Sequence, residues 1–130
     1  MDALVEEATR RSSVVWVALD DGPLRAVWHV WHDGCAYVVT GGLEQELPGA
    51  GTASRAHVVV RSRERRSGVV VAWVGDVEPV APGSEEWDAV VPVLHAARLN
   101  APDGEDQPRR WARESTVLRL RPTARSGSGG

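Results

Sequence analysis

The residues that could do chemistry are few, and most fall in one stretch, Leu24 to Gly42 (LRAVWHVWHDGCAYVVTGG). His29 and His32, with His57 further on, invite a metal reading. On a β-strand, however, side chains alternate, so residues three apart face opposite ways and form no local pair. The expectation is therefore hydrogen-bonded histidines and no metal. Cys35 is the single cysteine, which excludes an internal disulfide and a cysteine-only zinc site. Beside a turn, with no histidine on its face, it reads as a small buried or edge residue rather than a nucleophile. No Ser/His/Asp arrangement or carboxylate pair has catalytic spacing, and Gly41-Gly42 lacks the spacing and following helix of a dinucleotide motif. No catalytic residue is assigned.

Two other groups could bind. Arg61, Arg63, Arg65 and Arg66 form the one basic concentration, at a predicted hairpin tip. There they act as a solvated edge that blocks aggregation, or grip phosphate, whose oxygens match a guanidinium fork, or meet a partner protein. The six tryptophans, Trp16, Trp28, Trp31, Trp73, Trp87 and Trp111, replace the absent Phe. Trp16, Trp73 and Trp87 are expected in the core. Trp28 and Trp31 face opposite sides of one strand, so at most one fills an interior and the other is left for a ligand, a partner or solvent.

The elements that position these residues are mainly strands. Asp33-Gly34 between two β-rich runs is a strong hairpin signal, because both residues tolerate positive φ. A short helix over Asp2–Arg11, capped by Asp2, precedes a strand over Ser13–Leu19, and Asp20-Asp21-Gly22-Pro23 turns the chain into Leu24–His32. Cys35–Thr40 continues the meander, and LEQELPGAGTAS makes a helical turn and a loop. His57–Arg61 and Gly68–Val80 form the next hairpin around the tip SRERRS, with Gly75 marking a bulge or bend. Ser84 caps a helix carrying Trp87, Val90, Val91 and Leu94, which Pro92 should kink or divide. A polar loop over Asn100–Gln107, one helical turn over Pro108–Arg113 and a strand over Thr116–Leu120 complete the fold. The sum is a mainly β chain with a few helices: a small six-stranded antiparallel split barrel, the late helix covering one open end. One domain spans residues 1–122, with a flexible tail over 123–130.

Composition narrows the function classes. A net charge of −3 and a pI near 5.8 argue against a nucleic-acid binder. There is neither a run of about 20 apolar residues to span a membrane nor a signal-peptide pattern. A soluble cytoplasmic protein is expected. The absence of Lys, with all basic residues Arg, fits a GC-rich coding bias. The run VVVAWV (Val69–Val74) is apolar on both faces, whereas a strand of a small antiparallel barrel keeps one face wet. A barrel-to-barrel homodimer would cover it.

In its order of elements the chain resembles the FMN-binding split barrel of the pyridoxamine 5′-phosphate oxidase-like superfamily. The resemblance rests on the N-terminal helix, SVVWVAL, the DDGPL turn, AVWHVWHDGCAYVVTGG, the later hairpin and the helix GSEEWDAVV, and covers roughly Leu4 to Pro122. It implies a homodimer with FMN, or in actinobacterial branches a deazaflavin coenzyme, in a groove between subunits, acting as an oxidoreductase on a small molecule. By that resemblance Trp28, Val30 and His32, or the alternate face with His29 and Trp31, flank the ring. Thr40, Gly41 and Gly42 lie near the phosphate, Gln45 donates to it, and Arg55 and Arg61 are the nearest basic residues. Where many members carry Lys or Arg, this chain has Glu44 and Glu46. Two carboxylates at a wet surface would repel a phosphate by about 1 kcal/mol each. The alternative is a non-catalytic barrel of the same fold that binds another ligand, such as haem, or a protein partner.

Overall fold

A computed structural model describes residues 3–42, 44–61, 70–98 and 104–123. The expected loop over 100–107, the arginines Arg63, Arg65 and Arg66, the cap Asp2 and the tail after Thr123 lie wholly or partly outside them. Helix α1 (Ala3–Arg11) is followed by β1 (Val14–Leu19), β2 (Arg25–Trp28), β3 (Val30–His32), β4 (Cys35–Thr40), β5 (Arg55–Arg61) and β6 (Val70–Pro79). Then come α2 (Glu85–Ala97), a 3-10 turn (Gly104–Asp106), α3 (Gln107–Glu114) and β7 (Thr116–Pro122).

The seven strands form one antiparallel sheet in the order β2-β1-β5-β6-β7-β4-β3. Its two ends, β2 and β3, are consecutive in the chain and separated only by His29. The run Arg25–His32 therefore closes the sheet on itself: its first half pairs with β1 (Val14 with Trp28) and its second with β4 (Val30 with Tyr37). Here lies the difference between the six expected strands and the seven observed. A strand that must pair with two neighbours at a barrel corner changes partner midway, and alternation of apolar residues carries no record of that change. At the hairpin tip, Asp33 and Gly34 both take positive φ, as the Asp-Gly signal requires.

Alternation sorts the side chains into two cores. Val15, Val17, Val27, Val38, Val58, Trp73, Leu118 and Leu120 fill the barrel, and Val5 and Ala8 of α1 pack against them. Tyr37, Val39 and Val117 point outward against Trp87, Val90, Leu94 and Trp111, so α2 and α3 cover the outer wall of β4 and β7. The late helix thus lies along the wall, and the N-terminal helix completes the interior. Thr9 is fully buried and accepts a hydrogen bond from Trp73 Nε1 at 3.0 Å.

Several details depart from the sequence reading. Trp16 is 38% exposed, because on β1 it alternates with buried Val15 and Val17 and faces outward. Pro92 does not divide α2, which Ser84 caps by accepting from Trp87 N at 3.1 Å. The helical turn expected over Pro108–Arg113 is part of the longer α3. Around Gly75 both ladders keep a regular register, so there is no bulge. Gly75 is where β6 passes from β5 to β7, and a Cβ there would lie 2.7 Å from Arg121 O, a contact only glycine avoids.

Candidate functional site

The corner at Trp28–His29, which we term the seam, gathers most of the residues singled out above. Trp28 is half-buried on the outer side, its indole 6.4 Å from that of Trp111 on α3. Trp31 turns inward, edge-on to Trp73 at 6.3 Å, so the two tryptophans do take opposite faces. The interior face is thus filled by core, and the outer face carries Trp28, Val30 and His32. His29 is buried and Nε2 lies 2.9 Å from Thr9 O, tying α1 to the seam. Burial pushes its pKa below the usual histidine range, against the opposing hydrogen bonds of the Thr9 and Ser13 backbone.

Thr40 ends β4 opposite Thr116, and the chain leaves through Gly41 and Gly42, both at positive φ. Ser115 donates to Gly41 O at 3.0 Å, and a Cβ on Gly42 would meet Ser115 Oγ at 3.0 Å and Glu114 O at 3.1 Å. The loop then folds back, Glu44 N donating to Gly41 O and Gly41 N to Gln45 O. The Gln45 side chain reaches the seam: Oε1 accepts from Trp28 N at 2.8 Å, and Nε2 donates to Trp28 O at 2.9 Å and to Val39 O at 3.2 Å.

Glu44 is not at a wet surface. Its side chain is 0% exposed, with Arg98 Nε at 2.9 Å and Arg110 Nη2 at 3.1 Å, their side chains 23% and 6% exposed. A carboxylate enters the interior only when paired. One carboxylate thus meets two guanidinium groups. Sequence reasoning missed Arg98 and Arg110 because they arrive from α2's end and α3, more than fifty residues away. The repulsion expected from Glu44 is therefore absent; Glu46 is exposed, as is Glu114 beside Gly42.

Arg55 and Arg61 are not brought to this place. They begin and end β5, about 20 Å apart at strand rise, and β5 is separated from β4 by β6 and β7 on one side of the ring. His57, also on β5, is exposed and distant from His29. No group of three or more His, Cys, Asp or Glu residues with metal-binding geometry occurs among the described residues. His32 is the cross-strand partner of Cys35, on the same outer face, so the sequence reading of that cysteine's neighbours was incomplete. The reason is that the turn is a two-residue joint, which sets the flanking residues opposite each other. Nearby, Tyr37 donates to Glu86 Oε2 at 2.7 Å and Arg119 Nη1 to the same oxygen at 3.0 Å. Burial, helped by Glu86, pushes the phenol well above its usual range, so Tyr37 keeps its proton.

The structure can be set beside solved structures. HutZ, the haem storage protein of Vibrio cholerae, superposes with a TM-score of 0.66 at 11% identity, over 94% of this chain and 89% of that one. An F420 reductase gives 0.62 at 19% identity over 92% and 93%. A Clostridium acetobutylicum protein related to general stress protein 26, of the pyridoxinephosphate oxidase family, gives 0.59 at 15% over 94% and 86%. This is the pyridoxamine 5′-phosphate oxidase-like split-barrel fold. Identities this low carry the fold alone, and neighbours as different as a haem storage protein and an F420 reductase share it. No protein-family model matches this split barrel, and no curated protein matches it in sequence. Among the described residues no helix is long and apolar enough to cross a membrane.

Proposed function

We propose that this split barrel works as a homodimer that binds FMN or a deazaflavin coenzyme along the outer side of the seam and serves as an oxidoreductase for a small molecule. The observation that carries the reading is the outer face of β2, β1, β5 and β6. It presents Val14 (50% exposed), Trp16, Ala26, Val59 and Ala72, and it runs directly into Trp28, the cross-strand partner of Val14. An exposed apolar face of this kind marks an interaction surface. A second copy covering it would build the opposite wall of a groove at Trp28, and could bring its own Arg55 or Arg61 toward the exit of β4.

The residues present fit such a coenzyme. Half-buried Trp28, whose indole lies 6.4 Å from that of Trp111, and exposed Val14 beside it offer apolar contact for a tricyclic ring, and the Gly41-Gly42 turn, with Arg98 and Arg110 behind Glu44, is the place for an anionic tail. The coenzyme would supply hydride transfer, and the protein contributes position, water exclusion and field. The test is the absorbance of freshly purified protein and of protein mixed with each coenzyme. A bound flavin shows two visible bands that shift on binding, and a bound deazaflavin one. Protein that neither carries nor perturbs either coenzyme defeats the reading.

A non-catalytic barrel holding haem or a protein partner is favoured by one specific observation: Gln45, Glu44 and His29 are already engaged within the chain. Half-buried His32 on the outer face would then be the residue able to bind its iron. A Soret band on haem addition that His32→Ala removes supports this second reading.

A further inference from the structure

The β3–β4 ladder pairs Val30 with Tyr37, Trp31 with Ala36 and His32 with Cys35. Continued in the same register it would pair His29 with Val38 and Trp28 with Val39, and neither step is made. Trp28 has turned to β1 instead, where it pairs with Val14. The gap between the Trp28 and Val39 backbones is filled by the Gln45 carboxamide, which bonds Trp28 N, Trp28 O and Val39 O at 2.8, 2.9 and 3.2 Å. A primary amide carries one acceptor and two donors, the complement of these three groups. We propose that Gln45 is the positioning residue of the seam: its amide stands in for the missing Trp28–Val39 rung, fixes the width of the split and sets Trp28 where a bound ring meets it.

The loop that delivers the rung is tied down at both ends. Gly41 and Gln45 close the loop through their backbones, and the neighbouring Glu44 is locked between Arg98 and Arg110. An apolar side chain at position 45 would leave three backbone groups without these partners. A glutamate would set a carboxylate oxygen against two carbonyl oxygens, unless it keeps a proton and so regains one donor. Only the ring-setting part of this inference rests on the coenzyme reading; the rung itself is independent of it.

The experiment is amide hydrogen exchange of the Trp28 peptide in the full chain, corrected for intrinsic rate, with titration of FMN and of a deazaflavin coenzyme into the same samples. Wild type, Gln45→Glu and Gln45→Met are compared at pH 5 and pH 8. Trp28 should be equally protected in wild type at both pH values. Gln45→Met should lose protection at least about tenfold at both; Gln45→Glu keeps an oxygen to accept from Trp28 N, but at pH 8 the Trp28 and Val39 carbonyls repel its carboxylate, so protection should fall there by a smaller factor and recover at pH 5. FMN affinity should follow the same pattern, a reversible pH profile that general destabilisation does not produce. Trp28 protection equal to wild type in Gln45→Met overturns the rung, as does a Gln45→Glu profile that ignores pH. Should Gln45→Glu fail to fold at pH 8, Gln45→Met decides. If the exchange pattern holds while wild type binds neither FMN nor a deazaflavin coenzyme, the rung stands and the coenzyme reading falls.

Discussion

Replacing Glu44 by alanine should damage this protein more than any other single surface-loop change, although the sequence presents it as one of a pair of loop carboxylates. The side chain is 0% exposed and faces Arg98 Nε at 2.9 Å and Arg110 Nη2 at 3.1 Å. Removing it leaves two guanidinium groups together, one of them 6% exposed, and breaking a buried pair from one side costs about 3–5 kcal/mol. The Arg98 leg is partly open to water and is screened, so the lower end of that range, about 3 kcal/mol, is expected. At roughly 4 °C per kcal/mol for a domain of this size, the melting temperature should fall by about 12 °C. The assay is urea and thermal unfolding of Glu44→Ala beside Glu46→Ala, whose exposed position should keep it within about 0.5 kcal/mol of wild type. A Glu44→Ala loss below about 1 kcal/mol would refute the view that Glu44 is a neutralised buried anchor.

Other outcomes follow from the same geometry. Thr9→Val keeps the volume but strands the Trp73 indole N–H, now 3.0 Å from Thr9 Oγ1 in a buried site; urea titration should show a loss of about 1–3 kcal/mol, largely relieved when Trp73→Phe is added. For His29 the folded pKa lies below the ordinary value of 6.5, so below that pH the unfolded chain binds the proton more readily. Stability should begin to fall as the pH drops below about 6.5 and level off beneath the folded pKa, and His29→Asn should flatten this segment of the pH–stability curve. On the dimer reading, Trp16→Arg places charge on the exposed β1 face. Light scattering should show wild type at twice the chain mass and the variant at the chain mass; a monomeric wild type at micromolar concentration would contradict the reading.

How much of this was legible in the sequence depended on whether the signal was local. The Asp33-Gly34 turn, the strand character of β1, β5 and β6, and the Ser84 cap are local, and the structure has them where the residues indicated. That Trp28 and Trp31 part company followed from strand period alone. What was not legible depends on pairing at a distance. The partner change at His29 is invisible because both halves of Arg25–His32 alternate alike. Trp16 sits on a β-branched run that reads as core, and only the position of α2 and α3 on the opposite wall leaves its face uncovered. Glu44 was misjudged for the same reason: carboxylates beside Pro and Gly look solvated, and nothing nearby announces that Arg98 and Arg110 will reach them. Gln45 offers itself from the sequence as a donor to a ligand, whereas its amide bonds the backbone of the seam.

The central claim, that the outer side of the seam holds a flavin or deazaflavin between two copies of the chain, is tested most directly by titrating FMN and a deazaflavin coenzyme into the purified protein and following coenzyme fluorescence. Saturable quenching by at least one of them, lost in Trp28→Leu and in the monomeric Trp16→Arg variant, is the predicted result. Unquenched fluorescence with both coenzymes at protein concentrations of about 100 μM, where even a binder of about −5.5 kcal/mol would be half-saturated, would contradict it.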